Sequence, residues 1–496
     1  MTFNLNNYSF ITIISVKKNI FCVGLFFILI NCSTVSIPFK TAAVFSNHMV
    51  LQQLSDVPIW GNGTPGASLK ISTSWGESKS TIIDQDGKWI TTLKTPVYGG
   101  PYEMEIKSVS DQIKFKDILI GEVWLTSGQS NMEWPMRARI LNQEQEIKNS
   151  NYPNIRMFSV PQNLNGTNIN SASWKTASPF NVLEFSAVGY FFAREVYEKL
   201  GVPVGILNSS WGGTRIESWT SIEKLSKLTA SSAKAKEIIS KGGILQIIQN
   251  KARTKKSFVE GDPNFYSILY NTMIKPILPY KVKGFLWYQG ESNVKNYDQY
   301  QNLFTGMISD WREKWKEELP FYFVQIAPFL YSDIQNGCGT CLSYELRDAQ
   351  RKSLDLKKTG MVVTSDIAEE NDIHPANKQD VGKRLARLAF ANDYGMSEVL
   401  SSGPFYAEKK VFESYIDLYF DFKGSGLMAK GKLRDFEIAA SDREFYPANA
   451  SIIRGKVRVS SKEVINPKFV RYGWKNYFEA SLFNIEGLPA SSFQTP

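Results

Sequence analysis

The chain has 496 residues, 43% hydrophobic and 13% aromatic, enough apolar material for a large core and more length than one ordinary domain uses. Its formal charge of +9, from 57 basic and 48 acidic residues, is spread along the chain rather than gathered into a tail or stripe. Composition therefore leaves no nucleic-acid footprint, and two or three domains are expected.

At the start, Lys17 and Lys18 precede an apolar run over residues 20–30 followed by small polar residues. This reads as a secretory signal over residues 1–32, and the run is shorter than the ~20 apolar residues of a spanning helix. An exported protein, periplasmic or extracellular, is expected. Cys32, after Leu29-Ile30-Asn31, is a weak candidate for a lipid anchor, because Asn31 stands where a small residue is usual. Once the signal is removed, Cys338 and Cys341 remain, and an oxidising compartment permits a disulfide between them. One such pair cannot make a four-ligand zinc site, and no metal or other cofactor is implied.

Residues 38–116 are rich in Thr, Ser, Val, Ile and Gly with repeated turn signals such as Gly61-Asn62-Gly63-Thr64-Pro65-Gly66, which suggests a small β-sandwich module. Over residues 117–397 the pattern changes. Apolar strand-like runs at 118–125, 204–207, 284–288, 321–326 and 361–364 alternate with helical periods at 187–200, closed by Gly201, at 297–315, and at 375–390, opened by Pro375. An α/β layered domain with a parallel sheet follows. A Lys- and Ala-rich stretch over 231–256 is expected as an exposed helical excursion, and Asp310, Glu313 and Lys314 as the solvated face of their helix. Residues 398–496 return to strand alternation without helices, for example at 415–422 and 456–459, giving a second β-rich module.

The whole chain has two histidines, His48 and His374. His48 lies in the first β-module, far from any nucleophile, and is expected to be structural. His374 lies in Asn371-Asp372-Ile373-His374-Pro375, just after a predicted strand. Three other segments directly follow predicted strands: Ser127-Gly128-Gln129-Ser130-Asn131-Met132, Asn208-Ser209-Ser210-Trp211-Gly212-Gly213-Thr214, and Gln289-Gly290-Glu291-Ser292-Asn293. Open α/β sheets place their sites beyond the carboxyl ends of their strands, so the four should share one rim. Together they offer what acyl transfer needs: a hydroxyl nucleophile, an imidazole base and N–H donors for a tetrahedral oxyanion.

These segments resemble the blocks of the SGNH hydrolase superfamily, and within it the sialate O-acetylesterase-like carbohydrate esterases. The likeness extends to Gly121-Glu122-Val123-Trp124, to Arg215-Ile216-Glu217-Ser218-Trp219, from Asp372-Ile373-His374-Pro375 on to Lys378, Gly382 and Arg384-Leu385-Ala386, and to Arg471-Tyr472-Gly473-Trp474 and Gly487-Leu488-Pro489-Ala490 near the end. It implies a three-layer SGNH, flavodoxin-like core flanked by β-sandwich or jelly-roll-like modules. It makes Ser130 the nucleophile and His374 the base. The Ser130 and Gly213 (or Gly212) N–H groups, with Asn293 and Gln289, become the oxyanion donors. The acid that orients His374 stays open: the superfamily places an aspartate where this chain has Asn371, so Asp372 comes first, with Asp366, Glu291 or a main-chain carbonyl as alternatives.

Trp134 and Trp219 are candidate stacking surfaces for a sugar ring, set against ordinary core packing. Arg215 either pairs with a sugar carboxylate or forms a salt bridge with Glu217. The expected substrate is an O-acetylated sugar, sialic acid first and xylan or xyloglucan second, and the oligomeric state is not legible. An α/β-hydrolase elbow is excluded because Met132 stands where that pattern has its second glycine. A retaining glycosidase leaves Ser130 unexplained, and a non-catalytic carbohydrate-binding protein leaves Ser130, His374 and Asn293 unexplained.

Overall fold

The computed structural model describes residues 37–164, 166, 169–244, 246, 262–331 and 341–496. The expected signal, Cys32, Cys338 and the end of the helical excursion lie outside the described residues.

Seven strands make the central part of the largest sheet: β1 (Gln112–Gly128), β2 (Tyr152–Ser159), β3 (Lys175–Ala177), β4 (Val204–Ser210), β5 (Gly284–Tyr288), β6 (Phe321–Val324) and β7 (Thr359–Val362). They lie in the order β3-β2-β4-β1-β5-β6-β7, all parallel except the edge strand β3. Without β2 and β3 the remaining five follow the doubly wound order 2-1-3-4-5, whose direction of winding reverses between β1 and β5.

Side chains alternate across this sheet with period two. Val123, Leu125, Phe285, Trp287, Phe321 and Phe323 enter one core with Phe304, Met307 and Trp311 of helix Tyr297–Trp315. Trp124, Ile206, Leu286, Tyr288, Tyr322 and Val324 enter the other, with Phe191 and Phe192 of Ala187–Leu200 and Leu385 and Ala389 of Lys378–Asp393. Both faces are covered, which is why these strands read as unbroken apolar runs. A third core, around Leu418, Ile438, Val457, Tyr472 and Phe493, fills the C-terminal β-rich region.

Three expectations change. Pro375 does not open the last long helix: Asn377 caps it, its side-chain oxygen accepting from the Asp380 N–H, and the helix starts at Lys378. Asp310 is not on a solvated face. It is 1% exposed and accepts hydrogen bonds from the Ser221 N–H and hydroxyl, both at 2.7 Å. The first β-region and the α/β region also share a strand, since β1 runs across residue 116. Its first half pairs with Val50–Gln52 and Gly99–Lys107, its second half with β4 and β5. Among the described residues, no helix is long and apolar enough to cross a membrane.

Candidate active site

Gly128 closes β1 at φ 140°, a backbone conformation other residues rarely adopt, and a Cβ there would overlap the Tyr288 carbonyl of β5. The Gln129 N–H donates to that same carbonyl at 3.0 Å, and the chain turns into a short helix, Ser130–Glu133. Ser130 is therefore the first helical residue, at the reversal point between β1 and β5, where its own N–H has no partner within the helix.

His374 arrives on the loop after β7. Its Nε2 lies 2.9 Å from the Ser130 hydroxyl oxygen. Its ring stacks on Trp134, centroids 4.3 Å apart and planes 18° from parallel. Burial, and secondarily the Lys378 ammonium, hold the imidazole below its ordinary pKa, while Asp372 pulls the other way.

Asp372 stands close by without bonding the ring. Its Oδ1 is 3.8 Å from Nδ1, beyond hydrogen-bond length, and accepts instead from the His374 backbone N–H at 2.8 Å. Its Oδ2 pairs with Arg139, which also pairs with Glu369. Asp366 is held by Arg384 at 2.6 Å. Glu291 is buried and meets Asn131 rather than the histidine.

Asn131 and Lys378 stand within the motifs read from the sequence but had no role assigned to them there. The Asn131 amide donates to Glu291 at 2.7 Å and to the Ile373 carbonyl at 3.0 Å, tying the serine turn to the histidine turn. Its oxygen accepts from Lys378, which is 1% exposed and whose pKa burial lowers to about 7. Burial pushes the Glu291 carboxyl upward. The signals in the chain were their places in those motifs, Asn131 beside Ser130 and Lys378 four residues after His374.

Ser130 and His374 open onto a cavity of about 580 Å³ whose walls include Gln129, Gly213, Arg215 and Tyr331. Gly213, at φ 72°, turns the chain on its rim, and its carbonyl accepts from the Asn264 amide. The structure does not bring Gln289 or Asn293 to this cavity. Both are fully buried: the Gln289 amide donates to the Thr214 carbonyl and to Asn293, and the Asn293 amide donates to Glu217. The helical turn Glu291–Asn296 points Ser292 at the cavity and Asn293 inward. Trp219 is likewise core, at 0% exposure with its indole N–H on Thr214, and offers no face to a sugar. Trp134 turns a face to His374 instead. Arg215 is exposed at the cavity wall with its backbone N–H on Asn264, and makes no ion pair with Glu217. His48 pairs with Asp117 at 2.6 Å, within the first β-region and its junction with β1. Cys341, at the cavity wall, is disulfide-bonded.

A serine hydroxyl in contact with a half-buried imidazole, beside the Ser130 and Gly213 backbone N–H groups that have no acceptor among the described residues, is suited to acyl transfer. Comparison with known proteins agrees. The family model described as "Carbohydrate esterase, sialic acid-specific acetylesterase" matches residues 120–391. The human sialate O-acetylesterase is 31% identical over 75% of this chain and 74% of its own. The mouse sialate O-acetylesterase is 28% identical over 93% and 95%. The crystal structure of a carbohydrate acetylesterase from Xanthomonas citri is 34% identical, covers 92% of this chain and 99% of its own, and superposes with a TM-score of 0.80. The chain thus belongs to the sialic acid-specific acetylesterase family of carbohydrate esterases.

Proposed function

We propose that this carbohydrate esterase removes O-acetyl groups from sialic acids through an acetyl-serine intermediate on Ser130. The observation that carries the reading is the 2.9 Å contact between His374 Nε2 and the Ser130 hydroxyl, made between residues 244 positions apart. His374 Nε2 takes the hydroxyl proton as Ser130 Oγ attacks the acetyl carbonyl. The Ser130 and Gly213 N–H groups stabilise the oxyanion, each donor worth roughly 3 kcal/mol in the transition state. The intermediate collapses, the sugar oxygen leaves with the proton from His374, and a water deprotonated by His374 releases acetate. Asp372 assists from a distance: it fixes the His374 backbone and its charge favours the transient imidazolium.

Sialic acid is preferred for two reasons. The mammalian relatives are named sialate O-acetylesterases, and Arg215 puts a guanidinium on the cavity wall where a sugar carboxylate would be received. The same proposal gives the chain an SGNH-type core over residues 117–397, a first β-region over 38–116 joined to that core through β1, a second over 398–496, and export after loss of residues 1–32.

The test is acetate release from O-acetylated sialic acid and from O-acetylated xylan, by the mature protein and by Ser130→Ala. Release from sialate that Ser130→Ala abolishes is expected. Faster release from xylan overturns the substrate, and undiminished release by Ser130→Ala overturns the nucleophile. Because the base must be neutral and its pKa is lowered, kcat/KM should hold on the alkaline side and fall only below the ordinary imidazole value of ~6.5.

A further inference from the structure

Glu133 ends the short helix that Ser130 begins, so its side chain rises beside the nucleophile. One carboxylate oxygen accepts the Gly212 N–H and the other accepts the Gln162 amide at 2.7 Å. Gly212 itself is pressed against the serine: a Cβ there would lie 3.4 Å from the Ser130 Cβ and 3.1 Å from the carboxylate. The turn that bears it is tied to the same place from below, where the Trp211 N–H donates to the Gly128 carbonyl at 3.0 Å.

We infer that Glu133 is a positioning residue for the oxyanion donors, gripping Gly212 so that the N–H of Gly213 is aimed at the cavity above Ser130. The inference rests on the serine-esterase reading given above. Two facts sustain it. The Gly212 N–H already has a full charge-assisted acceptor, so of the two neighbouring glycines only Gly213 has an N–H without an acceptor among the described residues. And among the described residues Glu133 is the acidic side chain that joins the nucleophile's helix to the Trp211-Gly212-Gly213 turn, so that, with the Trp211 N–H on the Gly128 carbonyl, it helps set the distance between serine and donor. A carboxylate this near a developing oxyanion would repel it if it faced the oxyanion. Here both its oxygens are engaged by N–H donors.

The experiment compares kcat and KM for p-nitrophenyl acetate in wild type, Glu133→Ala, Glu133→Gln and Gln162→Leu, with Ser130→Ala alongside. Glu133→Gln keeps an oxygen that can accept from Gly212. Misplacing one oxyanion donor costs up to ~100-fold in rate, so Glu133→Ala should lose about 10- to 100-fold in kcat with KM within about twofold. Glu133→Gln should recover most of that loss, and Gln162→Leu should show a smaller fall of the same kind. If Glu133→Ala folds poorly, Gln162→Leu carries the test. An unchanged kcat in both Glu133→Ala and Gln162→Leu, or equal losses in Glu133→Ala and Glu133→Gln, overturns the inference. If Ser130→Ala stays active, the esterase reading itself fails; if Ser130→Ala is inactive while the Glu133 variants are unchanged, only the positioning role fails.

Discussion

On one flank of His374 lie Arg139, Glu369 and Asp372, an ion-pair cluster whose arginine side chain is 55% exposed. On the other lie Asn131, Glu291 and Lys378, joined by hydrogen bonds and almost wholly out of water. Each flank has one base and at least one acid, yet the energetic weights differ. Exposed pairs contribute about 0–1 kcal/mol and fade with salt, whereas a buried polar group robbed of its partner keeps its desolvation cost. The buried flank therefore holds the geometry and, through Lys378, also weighs more on the charge of His374 than Asp372 of the exposed flank does.

Four substitutions would break or sharpen that contrast. Glu291→Leu strikes the buried flank hardest, leaving the Asn131 amide short of an acceptor and Lys378 without the carboxylate that most favours its charged form. A stability loss of about 2–3 kcal/mol in urea denaturation, with most activity lost, is expected; an unchanged midpoint would erase the distinction between the flanks. Asp372→Asn should lower kcat by less than about tenfold, because the carboxylate does not bond Nδ1. A triad acid that does so costs ~10,000-fold when converted to its amide, and a loss of that size would mean that Asp372 closes on the ring during turnover.

Lys378→Met tests the electrostatics. Of the charged groups around His374, Lys378 favours the neutral imidazole and Asp372 the cation; Arg139 and Glu369 lie beyond, paired with Asp372 or with each other, and Glu291 is held on Asn131. Removing the buried ammonium raises the His374 pKa, so the acid limb of kcat/KM should move to higher pH and the rate near pH 6 should drop severalfold. A limb that stays in place or moves to lower pH refutes this. Arg139→Ala should do least, changing kcat by no more than about twofold and less still at high salt; a larger, salt-insensitive effect would put that flank in the machinery.

Much of this was legible in the sequence because burial on both faces leaves an apolar signature. The strands at 204, 284 and 321 and the helices Ala187–Leu200 and Tyr297–Trp315 begin or end where periodicity, Gly201 and turn chemistry place them. Ser130 and His374 stood out because each follows a strand and imidazoles are scarce. The direction of side chains inside the loops was not legible. Ser292 and Asn293 are adjacent polar residues on one 3₁₀ turn, and only its rotation decides which faces the cavity. Trp219 reads as a sugar platform until the turn Ile216–Trp219 folds it under Trp287. Lys378 sits in the first turn of a helix, where lysines are normally solvated, and only the packing of Trp134 and Tyr288 about its ammonium marks it as buried.

The length of β1 has a consequence for how the molecule comes apart. At about 3.3 Å per residue, its 17 residues span roughly 55 Å, and one ladder passes from the N-terminal strands into the sheet that ends at Ser130. Heat or denaturant that unzips one end shortens the support of the other, so the two regions should melt in a single transition. Clipping the chain before residue 112 would bare the leading half of that ladder as an unpaired edge, an invitation to aggregate. The N-terminal strands are accordingly no detachable cassette: exchanging them between relatives means rebuilding the strand that delivers the serine.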